Sequence, residues 1–190
     1  MSIYLTRHGQ TDWNVAYLIQ GRLDVPLNEE GKRQAEELAL KLKDIPLDAI
    51  IVSPMKRAQD TAAIINRYHN LPIETDDRIV EQYYGQLEGK PRKGDVYLNH
   101  RQSLATRYPE GEGYFDVVYR VYGFLHELEE KRPNLNILVV AHGGMARVFN
   151  SYFYDMGNEE FVKFGLENCD YRVYEFPKRN IPISKIDLED

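Results

Sequence analysis

Ile137-Leu138-Val139-Val140-Ala141-His142-Gly143-Gly144 is an unbroken apolar run that ends on a histidine and two glycines. A continuous apolar run of strand length indicates a strand buried on both faces, the habit of parallel sheets covered by helices. The same arrangement occurs twice more. Ile3-Tyr4-Leu5 leads into Thr6-Arg7-His8-Gly9, and Ala49-Ile50-Ile51-Val52 leads into Ser53-Pro54-Met55-Lys56-Arg57. Helical patterns follow these runs. Asn28 can cap a helix over residues 28–43, with Glu29 and Glu30 in its first turn and Ala35, Leu38, Ala39 and Leu42 as one apolar stripe. Ser53-Pro54 reads as a cap followed by a first-turn proline, with Ala58, Ala62 and Ile65 facing inward. Further helices are expected over residues 115–131, ending before Pro133, and after Gly144, burying Val148 and Phe153. Residues 171–176 alternate and read as a late edge strand. Strands alternating with helices predict an α/β fold, a three-layer α/β/α arrangement with a largely parallel central sheet.

Composition bounds the function. At 190 residues the chain is expected to be one domain, residues 1–190, able to bury a core without disulfide or metal. The lone cysteine, Cys169, excludes an internal disulfide framework and any multi-cysteine zinc site, and it fits a reducing, cytoplasmic setting. No signal peptide is visible at the N-terminus, and the longest strongly apolar run, residues 137–141, is far short of the ~20 residues of a membrane span. With 24 Lys and Arg against 30 Asp and Glu, the net charge of −6 argues against a general nucleic-acid binder. An anionic ligand would need a local positive site built against that global charge. Oligomeric state is not legible, and the acidic stretch 185–190 reads as a solvated tail.

Ligands of parallel α/β sheets bind beyond the carboxyl ends of the strands. The three runs deliver Arg7 and His8, Arg57, and His142 to that edge, and a fourth short run, Ile79-Val80, delivers Glu81. This set suits phosphoryl chemistry. Neutral imidazole is a competent nucleophile near pH 7, and adjacent guanidinium groups help keep it neutral. Arginine offers a flat, permanently charged fork to phosphate oxygens. Gly9, Gly143 and Gly144 let backbone approach the phosphate, and a glutamate can give a proton to a leaving oxygen and later take one from water.

These segments resemble those of a known family. Thr6-Arg7-His8-Gly9-Gln10-Thr11-Asp12-Trp13-Asn14 is similar to the signature of the histidine phosphatase superfamily, the phosphoglycerate mutase-like group. Gln20-Gly21-Arg22-Leu23-Asp24-Val25-Pro26-Leu27-Asn28 resembles the family segment before its first helix. Ser53-Pro54-Met55-Lys56-Arg57-Ala58 resembles its second arginine motif, Glu81-Gln82-Tyr83-Tyr84-Gly85 its acid motif, and Ala141-His142-Gly143-Gly144 its second histidine motif. The resemblance spans residues 3–176 in the family order. It implies a phosphoglycerate mutase-like fold. It implies His8 as the nucleophile that becomes phosphohistidine, with Arg7, Arg57 and His142 on the phosphoryl oxygens. Glu81 would be the proton donor, with Asn14, Gln20, Gly21 and Gly143 around the phosphate, and no metal would take part. One departure stands out: Gly113 occupies the place of a family serine.

Alternatives remain at several positions. Glu88 or Glu112 could supply the proton, Asn14 could cap a turn, and Gln20 could support its loop. His69, His100 and His126 read as surface or structural. Residues 85–113, rich in Gly, Pro and charge, read as a segment covering the substrate, in which Lys90, Arg92 and Lys93 form either a second anion grip or a solvated basic loop. The expected activity is that of a metal-independent phosphatase of the histidine acid phosphatase type, acting on a small phosphorylated metabolite with no cofactor. The alternative is a phosphoglycerate mutase primed by 2,3-bisphosphoglycerate. The motif around Tyr83 and Gly89 partly matches the mutase form, whereas the chain has little room for the long mutase insertion before Glu112. A non-catalytic phospholigand-binding protein is the third reading, disfavoured by the intact His8, Arg7, Arg57, Glu81 and His142.

Overall fold

A computed structural model describes residues 1–176; the stretch 185–190 lies outside the described residues. Strand β1 (Ser2–Arg7) leads to a short helix α1 (Asp12–Val15) and then α2 (Glu29–Leu42). Strand β2 (Ala49–Val52), helix α3 (Lys56–Asn66) and strand β3 (Ile73–Thr75) follow. Next come α4 (Asp95–Gln102), α5 (Tyr114–Lys131), β4 (Asn136–Ala141), α6 (Gly143–Phe153), α7 (Asn158–Lys163) and β5 (Tyr171–Glu175). The sheet has five strands in the order β3-β2-β4-β1-β5. The first four run parallel, and β5 closes the edge antiparallel to β1. The expected three layers are present.

Alternate residues of the central strands supply two cores. Ile137 and Val139 of β4 join Ile3, Leu5 and Ile51 under α5 and α6, where Val121, Phe124, Val148 and Phe149 are buried. Leu138 and Val140 face the other way with Ile50 and Val52, against Ala35, Leu38 and Leu42 of α2 and Ala58, Ala62 and Ile65 of α3. Burial on both faces explains the continuous apolar runs. Asn28 caps α2, its side chain accepting the Gly31 amide at 2.8 Å.

Register sets the site. Arg7 pairs with Ala141, and Val52 pairs with Val140. The ladder continues one residue further, with the His8 amide donating to Ala141 O at 3.1 Å and the Ser53 amide to Val140 O at 3.0 Å. His8, His142 and Ser53 therefore leave the sheet together at one edge.

Two local expectations are corrected, and one helix was not anticipated. Ile79-Val80 is no strand: residues Asp77–Ile79 form a 3-10 turn capped by the Asp76 side chain on the Arg78 amide at 2.8 Å. The strand in that region is β3, whose residues are all exposed. Ser53 caps no helix, since α3 begins after Met55, and the Ser53 hydroxyl is taken by His142 instead. Helix α7 has no counterpart in the sequence reading. Among the described residues no helix is long and apolar enough to cross a membrane.

Candidate active site

A cavity with about 170 Å³ open to water-sized molecules lies at the carboxyl edge of the sheet. Arg7, His8, Asn14, Gln20, Gly21, Arg57, Glu81 and Gly143 all line it. His142 is not on the lining and is 1% exposed; its ring centroid is 5.2 Å from that of His8. The residues expected around the phosphate thus fall at this one place, whereas of the basic trio in residues 85–113 Arg92 lines the cavity and Lys90 and Lys93 do not.

His8 is 3% exposed. Its Nδ1 donates to Gly9 O at 2.7 Å, and because a carbonyl only accepts, the proton is fixed on Nδ1. The Nε2 lone pair is left with no partner among the described residues. Burial, then the Arg57 and Arg7 guanidinium groups, hold the imidazole pKa well below its usual value, so the ring is neutral. The His8 carbonyl accepts the Asn168 Nδ2 at 2.8 Å, tying the loop before β5 to the nucleophile-bearing turn.

His142 is neutral for the same reasons, burial first, then Arg57 and His8. Ser53 sets its tautomer. The Ser53 hydroxyl accepts the Met55 amide at 3.4 Å and lies 2.6 Å from His142 Nε2; we assign the proton of that bond to Ser53. The proton of His142 then belongs on Nδ1, which is buried without a partner among the described residues.

Arg57, fully buried, donates Nη2 to Gly21 O at 2.7 Å and Nη1 to Leu23 O at 2.8 Å. Gly21 has φ of +52°, and a Cβ there would run into the Glu88 carboxylate, so only glycine fits beside it. Arg7 Nη1 donates to Leu166 O at 3.0 Å. The Nε groups of both arginines are buried and unpartnered.

Glu81 accepts the Gln82 amide at 2.8 Å on Oε1 and the Gly144 amide at 3.3 Å on Oε2. A Cβ at Gly144 would strike that carboxylate, so the glycine lets the start of α6 meet Glu81. The rival acids do other work. Glu88 accepts the Arg22 and Tyr84 amides, and Glu112 pairs with Arg22 at 2.8 Å and Arg120 at 3.1 Å; neither lines the cavity.

Asn14 has two roles. Its Oδ1 accepts the Thr11 amide at 3.1 Å in a capping box, while its Nδ2 is buried, unpartnered and on the cavity wall. Gln20 Oε1 is likewise unpartnered. Gly113 caps α5 and does not line the cavity. His69, His100 and His126 lie elsewhere, and among the described residues no three His, Cys, Asp or Glu side chains group to hold a metal ion. Burial pushes the Cys169 thiol up to about 12, far from reactive.

The unpaired buried polar atoms are the clearest feature. Buried polar groups are rarely left without partners. Here Arg7 Nε, Arg57 Nε, Asn14 Nδ2, Arg147 Nε and Gln20 Oε1 belong to residues lining one cavity, and the four nitrogens are donors; His142 Nδ1, beside His8, is a further unpartnered atom. Such a shell matches an anion rich in acceptors. The sequence reading missed Ser53, Asn168, Tyr84, Tyr97, Arg101 and Arg147 as members of this region.

Comparison with known proteins agrees with that geometry. A family profile described as the histidine phosphatase superfamily (branch 1) matches residues 3–187. An uncharacterized phosphatase, PhoE, of Bacillus subtilis (strain 168) is 40% identical over 142 residues, covering 75% of this chain and 72% of its own. A 2,3-bisphosphoglycerate-dependent phosphoglycerate mutase of Cytophaga hutchinsonii is 30% identical over 197 residues, covering 98% and 90%. Among solved structures, the alpha-ribazole phosphatase of Shigella flexneri superposes with a TM-score of 0.84 at 26% identity, covering 94% of this chain and 92% of that one. The chain belongs to the histidine phosphatase superfamily.

Proposed function

We propose that the protein hydrolyses a small phosphomonoester through a phosphohistidine on His8. The observation that carries this reading is the shell of unpartnered buried donors around a neutral imidazole whose free nitrogen is Nε2. In the first step the Nε2 lone pair attacks phosphorus, the ester P–O bond breaks, and Glu81 gives its proton to the departing oxygen. In the second, water attacks the phosphohistidine, Glu81 takes the water proton, and the P–N electrons return to Nε2. Arg7, Arg57 and the His142 Nδ1–H hold the phosphoryl oxygens as charge builds. Each such donor is worth about 10²–10³ in rate, and positioned acid catalysis about 10²–10⁴. No metal or organic cofactor enters these steps.

Residues 1–190 form one domain in this reading, and residues 85–113 form one wall of the substrate cavity. Arg92, Tyr97 and Arg101 of that segment line the cavity, and its near end is pinned to the loop between α1 and α2 by Ile19 N to Lys90 O at 2.9 Å and Gly89 N to Ile19 O at 2.8 Å.

The mutase relative favours a second reading, return of the phosphoryl group to another hydroxyl of the same substrate. One experiment separates them. The protein is incubated without metal with 4-nitrophenyl phosphate and, separately, with 3-phosphoglycerate plus 2,3-bisphosphoglycerate. Free phosphate in the first supports the hydrolase. Rapid 2-phosphoglycerate formation without phosphate release replaces it with the mutase, and tight phosphate-ester binding with neither product removes both.

A further inference from the structure

Glu81 is carried differently from the other reacting groups. His8 and His142 follow directly on β1 and β4, whereas Glu81 stands beyond the 3-10 turn Asp77–Ile79 on a segment that belongs to no strand. A proton donor has to keep its place, since a misplacement of about 1 Å can cost about 10² in rate. The Gln82 and Gly144 amides aim the carboxylate, but only if the main chain beneath it is fixed.

Two charged side chains fix it. Arg120 of α5 donates Nη1 to Arg78 O at 2.6 Å and Nη2 to Glu81 O at 3.4 Å, so one guanidinium holds both ends of the stretch leading into the acid. The same group meets Glu112 as a two-pronged pair, Nε to Oε1 and Nη2 to Oε2, each at 3.1 Å. Glu112 grips the other side of the acid: its Oε2 accepts the Tyr83 amide at 2.9 Å, and its own amide donates to Tyr83 O at 2.8 Å. A Cβ at Gly111 would press on that carbonyl, so the glycine lets the two backbones lie side by side. Arg22 completes the set, with Nε on Glu81 O at 3.3 Å and Nη2 on Glu112 Oε1 at 2.8 Å. The Arg120 and Glu112 side chains are 14% and 18% exposed, which separates this pair from the solvated bridges of α2, such as Lys32 with Glu29 at 54% and 92%. Neither lines the cavity. Their bonds end chiefly on the segment that carries Glu81, not on the space the substrate fills.

We propose that Glu112 and Arg120 are positioning residues for proton transfer: their ion pair holds the Glu81 main chain where its carboxyl meets the departing oxygen. This rests on Glu81 being the leaving-group acid. Glu112 then serves the acid through the main chain and donates no proton itself.

Two variants break the pair in different ways. Glu112→Gln keeps the side-chain volume and removes the counter-charge; Arg120→Lys keeps the charge and removes the fork, and serves if the first does not fold. kcat/KM on propyl phosphate, whose leaving alkoxide needs a proton, is set against 4-nitrophenyl phosphate, whose leaving phenolate does not. Each variant is expected to lose about tenfold or more on the alkyl ester, part of the roughly 10²–10⁴ a positioned acid supplies, and less than about threefold on the aryl ester. A loosened fold would lower both alike, so equal losses overturn the positioning role. In Glu81→Gln, adding Glu112→Gln is expected to cost nothing further on propyl phosphate; a Glu81→Gln that lowers both esters equally removes the acid reading instead. Proton NMR follows the same geometry without turnover. The Gly144 amide, which donates to Glu81 Oε2, is expected to shift upfield in each folded variant. An unmoved resonance overturns the role even if neither ester is turned over.

Discussion

Ser53→Ala removes one hydroxyl that touches no substrate, yet it should impair catalysis. Ser53 is fully buried with its hydroxyl 2.6 Å from His142 Nε2, and as the assigned donor of that bond it places the ring proton on Nδ1. Nothing else among the described residues bonds that ring, because Nδ1 has no partner. Without the hydroxyl, Nε2 is a buried unsatisfied group, at a cost of about 1–3 kcal/mol. In a domain of this size that lowers Tm by roughly 2–4 °C per kcal/mol. The ring can recover part of the loss by moving its proton to Nε2. A lone pair on Nδ1 would then face the phosphoryl oxygens in place of a donor. Full loss of such a donor costs about 10²–10³ in kcat. If the Nε2–H tautomer becomes favoured by about 1 kcal/mol, the donor-competent form falls to roughly one molecule in six, which predicts a roughly sixfold loss. The assay is kcat/KM on 4-nitrophenyl phosphate, with nitrogen NMR of His142 reporting which ring atom carries the proton. Wild-type kinetics in a variant whose tautomer has changed would refute the donor role. A kinetic loss with the Nδ1 proton unmoved would refute the tautomer argument.

Other perturbations have equally definite outcomes. Arg57→Met should cost about 10²–10³ in kcat/KM, as for a lost oxyanion donor, and should move the acid limb of the pH profile upward. Arg57 is the foremost charge depressing His8, so an unmoved limb would contradict that coupling. Glu81→Gln should slow alkyl phosphates far more than aryl phosphates; equal losses on both would remove Glu81 as leaving-group acid. Stability should fall with pH below about 6.5. His8 and His142 have depressed pKa values in the folded state and bind fewer protons than in the unfolded chain, so stability rises with pH in that window, by up to about 2.7 kcal/mol per pH unit for the pair. Urea unfolding at pH 7.5, 6 and 5 reads the slope, and His8→Gln should flatten it; an identical slope in the variant would show that His8 does not contribute.

Much of this was legible in the sequence wherever one physical demand governed a whole segment. The strands β1, β2 and β4 are buried on both faces, so their apolar runs are continuous, and the polar residue that ends each run sits at the ligand edge. Asn28 announced α2 because a cap, acidic first turn and apolar stripe coincide there. Where demands competed, the pattern misled. Strand β3 is an exposed edge three residues long and carries no burial signal, while Ile79, which does, is buried from a capped 3-10 turn. Ser53-Pro54 has the look of a helix start, but a hydroxyl beside a buried imidazole is better used there. Arg101 and Arg147 were invisible for another reason. A helical arginine is ordinarily solvated or ion-paired, and only the folded structure reveals that these two share a carbonyl and lack a carboxylate.

The central claim is that His8 Nε2 carries the phosphoryl group between substrate and water. Rapid quench of wild-type protein with a 32P-labelled phosphomonoester, followed by peptide mapping, addresses it directly. Acid-labile, base-stable label on His8, rising and decaying within one turnover and absent from folded His8→Ala, is the expected result. Turnover with no labelled protein at any quench time, or label retained by His8→Ala, would contradict it.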